Sequence, residues 1–281
     1  MATSTCKALA KLEAWKPEDV PPFPAVALKA LNLMAGTDTS LLELCNLIRT
    51  DPAFSTEVLR IANSPLVTFP KSITNILQAS MVLGFRRLRS VVITVGLRSY
   101  LSSPFTPLLH ACWRHSLACA MIAERIASIT SHDKDFAYTA GILHDIGRIA
   151  MAVTSPEIYS QVAIHGADQP RAMLDTERAL YGMDHCQAGC VLVKTWQLPA
   201  EFFEIIDDHH NGKPRSDGVG SIVAVSCMLA DSLGFAAVPY RMPGSYPEIL
   251  HAFGAGLPGF PAQREELASD ITRSIELIES A

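Results

Sequence analysis

Apolar residues along most of this 281-residue chain recur at spacings of three and four, and alternation sustained over a strand length is missing, so the pattern predicts an all-α fold. Ser40 and Glu43 have capping-box spacing, and Leu41, Leu42, Leu44, Leu47 and Ile48 then supply the apolar side of a short helix. Asp51-Pro52 starts another at the first-turn position that proline tolerates. It continues through Phe54, Val58, Leu59 and Ile61 until Asn63-Ser64-Pro65 stops it. After Gly84 a longer helix is predicted from about Phe85 to Leu101, and Ser102-Ser103-Pro104-Phe105-Thr106-Pro107 breaks the pattern. That break sets the expected boundary between an N-terminal helical lobe, 1–107, and a second helical lobe, 108–281.

From Leu108 the helices resume. One carries His115, one from about Lys134 to Ala152 carries His144 and Asp145, and one covers Pro170 to Tyr181. Asp184 is placed to cap a helix that carries His185 and ends near Trp196. Further helices are predicted over Pro199 to His210, Gly218 to Leu233, Pro247 to Phe253 and Ala262 to Ser280. The Gly- and Pro-rich piece from Val238 to Pro261 has room for only a short one.

Composition changes this picture little. Apolar residues make up 49% of the chain and charged residues 18%, ample material for a buried core, and the length suits two modest lobes. The longest uncharged apolar stretches, Ser90 to Leu97 and Ser221 to Ala230, are about half of the roughly 20 residues that span a bilayer, so no transmembrane helix is expected. The N-terminal residues do not read as a secretory signal, and the expected address is the cytoplasm. Seven cysteines without a disulfide framework read as reduced, buried thiols. Cys186 and Cys190, four apart on one helix, fit packing better than metal binding. A net charge of −5 argues against nucleic acid and against an anionic membrane as partners. Arg86, Arg87 and Arg89 beside Leu88, Val91, Val92 and Val95 read as the solvated face of an amphipathic helix.

The residues with chemistry to offer lie in the second half. His144 and Asp145, adjacent on one predicted helix, point about 100° apart and meet at a single centre only beside the helix, a geometry a metal ion satisfies. A buried Asp145 needs a counter-charge, which a divalent cation would provide. A salt bridge to Arg148 three residues on would provide it equally. His115 shares a helix with Leu108, Cys112, Cys119 and Ile122. His209 and His210 follow Ile205 and Ile206 by one turn, and Asp231 follows the apolar run Ile222 to Leu229. Each has a plain alternative: a hydrogen-bonded core histidine, a surface cation at a helix C-terminus, a solvated helix end. Together they form a set of imidazoles and carboxylates suited to Fe, Mn, Zn or Ni. No GxSxG, Walker A, GxGxxG or HExxH pattern competes with this reading.

WRHSLA at 113–118, AGILHDIGR at 140–148, GMDHCQAG at 182–189, DHHN at 208–211 and LADSL at 229–233 follow the order of motifs in the HD superfamily of metal-dependent phosphohydrolases. The preceding segments PPFPAVALKALNLM, SLLELCNLIRTDPAFSTEVLRIANS and SITNILQASMVLGFRRLRSVVITVGLRSYL resemble the N-terminal part of an HDOD domain, so the resemblance spans about Pro21 to Leu233. It implies that His115, His144 and Asp145 ligate one ion with Asp231 closing the site. It further implies that Asp145 bridges to a second ion held by His185, His209 and His210, with Glu177 as an outer or additional ligand. In active relatives paired ions generate hydroxide and hold a phosphate oxygen. If this chain were an enzyme, Asp145 and Arg148 would serve that chemistry, with Arg148 standing where many active relatives carry lysine. DHHNGKPRSDG lacks the GYP signature, which argues against cyclic-di-GMP hydrolysis. HDOD proteins are mostly regarded as signalling or regulatory modules. The expectation is therefore a regulator holding one or two divalent transition-metal ions, with a phosphorylated small molecule as ligand and a protein partner at the N-terminal lobe. A metal-dependent phosphohydrolase acting on a nucleotide or phosphoester is the alternative.

Overall fold

The computed structural model describes residues 15–35, 40–63, 72–99, 106–165, 170–210, 218–238, 244–253 and 259–280, and among these every regular element is helical. The expected break between the lobes falls mostly outside the described residues. Local chemistry sets many of the helix starts. Ser40 accepts from the backbone N–H groups of Leu42 and Glu43 at 3.2 and 3.4 Å and opens Leu41–Arg49 (α2), which follows Ala25–Ala35 (α1). Asp51 caps Pro52–Ala62 (α3) through the Phe54 N–H at 3.0 Å, with proline in the first turn.

The helix expected after Gly84 is there, and a further helical stretch precedes it across a kink at that glycine. Ile76–Arg98 (α4) is capped by Asn75, and Gly84 is a break within it, at φ 68°, a backbone that glycine adopts without a Cβ clash. From Ser90 to Leu97 every residue is buried. Arg86, Arg87 and Arg89 of α4 do not share a solvated face. Arg86 is exposed and pairs with Asp133 at 2.5 Å, while Arg87 is buried, donates to Glu124 at 2.9 Å and stacks over Tyr138. Arg89 lies over the Phe202 ring. The expected surface stripe instead pins α4 to the helices that follow, because a guanidinium lies flat on an aromatic face while its fork reaches a carboxylate.

Pro107–Ile129 (α5) is the central rod, packed against Lys134–Leu143 (α6) and Val219–Ala230 (α12). The single helix expected from Lys134 to Ala152 is two. It stops at Leu143, and Ile146–Thr154 (α7) starts on a new axis after His144 and Asp145, with Asp145 at φ −104°, ψ 20°. The physical reason lies at Gly147: a Cβ there would stand 2.0 Å from the His185 carbonyl oxygen and 2.5 Å from the Gly189 nitrogen. The turn lets α7 press its backbone onto that of His185–Thr195 (α10), which a straight continuation of α6 would not do. Pro156–His165 (α8), Pro170–Tyr181 (α9) and Glu201–Asp208 (α11) complete the wall around this junction. After α12 comes a π-turn, Asp231–Phe235, then Tyr246–Phe253 (α13) and Arg264–Ser280 (α14).

One cluster of buried apolar side chains runs from Trp15 to Ile278, and both sequence halves contribute to it. Trp15 docks on the second half, its N–H donating to the Tyr181 carbonyl at 3.1 Å and its indole to Thr154 at 3.2 Å, and Phe23 lies 5.0 Å from the Trp196 ring. Among the described residues no helix is long and apolar enough to cross a membrane.

Candidate metal centre

The break between α6 and α7 turns His144 and Asp145 toward α5, α10 and the C-terminal end of α11, and Asp145 is the hub. Its Oδ1 lies 3.2 Å from Nε2 of both His185 and His209, and its Oδ2 lies 3.7 Å from Nε2 of His115 and 3.9 Å from Nε2 of His144. All five are buried, His144 and His185 completely and Asp145 at 1% exposure. The helices present two overlapping donor groups, Asp145 with His185, His209 and His210, and His115 with His144 and Cys227. Within each group the candidate ligand atoms lie within 4.8 Å of one another.

Four of the imidazoles follow one rule: Nδ1 is tied outward and Nε2 turned inward. His144 donates to the Gly141 carbonyl at 2.7 Å and His209 to that of Ile206 at 2.8 Å. His185 donates to Glu177 at 2.7 Å, and His115 has the Phe235 carbonyl and the Asp231 carboxylate, each at 3.1 Å. Such outer partners set the tautomer and leave the inner nitrogen as a lone pair, as in metal-ligating histidines. Consequently Nε2 of His115 and Nε2 of His144, 3.2 Å apart, are two acceptors facing one another. Bare lone pairs at that distance repel, and a cation or a shared proton resolves the clash. The donor set therefore fits a transition-metal ion, and the imidazole, carboxylate and thiol types suit Zn, Fe, Ni or Co more than Mg or Ca.

Electrostatics divide the histidines: burial pulls His115 and His185 down, but Asp231 and Asp145 bring His115, and Glu177 and Cys186 bring His185, above an ordinary histidine, toward the protonated form. Burial pushes the Asp145 carboxyl up, but Arg148, with His144, His185 and His209 around it, holds it well below the usual carboxylate range. Burial, with the charges of His209 and His115, holds His144 well below an ordinary histidine, which keeps it neutral at pH 7. Burial also lowers His210, which remains partly exposed, and His209 and His185 depress it further. Burial pulls His209 down, but Cys186 and Asp145 more than compensate and bring it to about 9.

Residues singled out in the sequence divide into inner and outer ones. Asp231 stands behind His115, on the ring nitrogen opposite the one that faces the centre. Glu177 is likewise an outer group. It accepts from the Tyr159 hydroxyl at 2.6 Å and from the backbone and ring N–H of His185 at 2.9 and 2.7 Å, a carboxylate–histidine pair of the kind that orients a metal ligand. Arg148 is inside rather than at the rim: Nε donates to Asp145 Oδ2 at 2.7 Å. Cys186 sits behind His209, 3.8 Å from its Nδ1, and Cys190 beside the Phe203 carbonyl, both outside the two donor groups. Cys227 is the donor the sequence reading missed, with Sγ 3.6 Å from Nε2 of His115. Its signal was present but generic: it lies one turn before Asp231 in an apolar helix, as buried cysteines commonly do.

A family model for the HDOD domain matches residues 20–212. The chain belongs to the HDOD family. Among curated proteins, an uncharacterized protein of Treponema pallidum is 27% identical over 213 residues, covering 74% of this chain and 41% of that protein, so the match spans less than half of that relative. Among solved structures, an HDOD domain protein of unknown function from Geobacter sulfurreducens aligns with a TM-score of 0.72 and 24% identity over 93% of this chain and 92% of the other. A Shewanella amazonensis protein provisionally named a phosphohydrolase aligns at 0.69 and 20% identity, covering 93% and 95%. A provisionally named signal transduction protein of Marinobacter aquaeolei aligns at 0.63 and 20% identity, over 98% of this chain and 62% of that one. These likenesses show that the chain has the all-α HDOD fold, as the motifs anticipate.

Proposed function

We propose that this HDOD protein is a cytoplasmic regulatory module that holds a transition-metal ion between its helices. Its conformation would respond to a phosphorylated small molecule and be read by a protein partner at the N-terminal lobe. The observation that carries the metal is the pair of inward-facing nitrogens of His115 and His144, 3.2 Å apart, each with its other nitrogen committed. The side chains of His115, His144 and Asp145 are buried, which supports an ion held between helices. Leu77 and Met81, one turn apart on α4 and 39% and 70% exposed, with Leu42 of α2 at 55%, support an apolar partner surface on the N-terminal half.

The residues that would hold the ion are His115, His144 and Asp145, with the second donor group across the Asp145 carboxylate. A bound ion would supply Lewis acidity and fix the spacing of α5, α6 and α7. Elemental analysis of gently purified protein beside Asp145→Ala tests this: metal in the parent and its loss in the variant are expected. A parent that stays metal-free even after reconstitution would sink the proposal. The double variant Leu77→Asp, Met81→Asp is expected to retain metal and lose partner binding.

The completeness of the donor set favours a second reading, a metal-dependent phosphohydrolase acting on a nucleotide or other phosphoester. Turnover of any member of a phosphoester panel by metal-loaded protein, abolished in Asp145→Ala, would establish it in place of the first.

A further inference from the structure

The Arg148 guanidinium reaches into the His185 and His210 side of the centre. Besides its bond to Asp145, its Nη2 donates to Nε2 of His185 at 3.1 Å and to Nε2 of His210 at 3.3 Å, and its Nη1 points to the sulfur of Met173 at 3.1 Å. His185 and His210 are two of the four members of one donor group, and the guanidinium contacts the Nε2 atoms an ion there would take, while its Nε holds Asp145 through Oδ2, the oxygen on the His115 and His144 side. The Nδ1 of His185 is committed to Glu177, which leaves its Nε2 as the acceptor Arg148 needs. The side chain is 3% exposed, and its partners are distributed around the planar fork in a way a point charge could not satisfy.

We infer that Arg148 is the built-in cation of the His185, His209 and His210 half of the centre, so that the protein binds one ion, at the His115 and His144 half, rather than two. This rests on the metal-binding reading above and specifies its stoichiometry. Two metal ions flanking Asp145 with the guanidinium still in place would bring three cations around one carboxylate. An entering ion would have to expel a buried side chain from its hydrogen bonds. With one ion there is no pair to hold a hydroxide between two metals, which accords with regulation.

Metal content decides it. Full-length protein is stripped, loaded with excess Co2+ or Zn2+, freed of unbound ion and analysed for metal per chain. The parent is expected to retain about one ion and Arg148→Met, which keeps bulk and removes the charge, about two. The melting midpoint of the variant is expected to be lower than the parent's without metal and to rise more on adding Co2+. Should the variant fail to fold without metal, it is refolded in Co2+, and the parent's own stoichiometry still tests the claim. Two ions in the parent, or one in both proteins, overturns the role of Arg148 while leaving the metal centre standing. No metal in either overturns the centre itself and this inference with it.

Discussion

Glu177 orients a histidine of the candidate metal centre from outside its donor groups. It is fully buried, and its two oxygens accept three hydrogen bonds. Burial pushes its pKa up, but His185, Arg148 and Tyr159 outweigh this and hold it below the ordinary 4.5. A depressed pKa contributes stability above the unfolded-state value and loses it as pH falls through the folded-state value. Glu177→Gln is therefore expected to cost about 1.5–3 kcal/mol near pH 7, and the gap to the parent should narrow below about pH 4. Urea melts across that range check it, and a constant gap would contradict it. The same variant is expected to retain its one metal ion, because His185 lies in the half of the centre that Arg148 occupies.

Helix α7 meets α10 backbone to backbone, and the contact exists only because residue 147 has no side chain. Gly147→Ala would drive a methyl into the His185 carbonyl, which belongs to a helix and cannot yield as a flexible side chain would. A loss of about 1–3 kcal/mol or more is expected, together with loss of metal binding, since His144-Asp145 and His185 flank that contact. Thermal melts and metal analysis read both. Asp184 secures the other end of the arrangement, accepting from the Gln187 N–H at 2.9 Å while the Gln187 side chain returns to the Asp184 N–H at 3.1 Å. Asp184→Ala is expected to cost about 1 kcal/mol. That cap was legible in the sequence because capping is decided within four residues. The break at His144-Asp145 was not, because a packing contact with a helix some 40 residues away causes it and the local periodicity runs on through it.

Across the whole molecule, the end of α14 ties the two sequence halves together. Arg60 of α3 and Arg98 of α4 both donate to the Ile278 carbonyl, and Glu57 bonds Arg98 at 3.1 Å. On the other side His110 and Arg114 of α5 approach Glu279 at 2.8 and 3.7 Å. Cations at a helix C-terminus satisfy carbonyls that have no partner within the helix. With the core continuous from Trp15 to Ile278, Arg60→Ala is expected to destabilise both halves together by about 1–3 kcal/mol in one shared transition. Two separated transitions in calorimetry would contradict it. The sequence by itself determined the helical class, several helix starts through Ser40, Asp51 and Asp184, and the histidines and carboxylates available for a centre. Those follow from periodicity and capping, which act over one or two turns. Only the tertiary structure decided that Asp231 stands behind His115 and Glu177 behind His185, that Cys227 joins His115 and His144, and that Arg148 bonds Asp145, His185 and His210. These depend on how helices far apart in sequence cross, and a side chain's partners there are set by packing rather than by its neighbours along the chain.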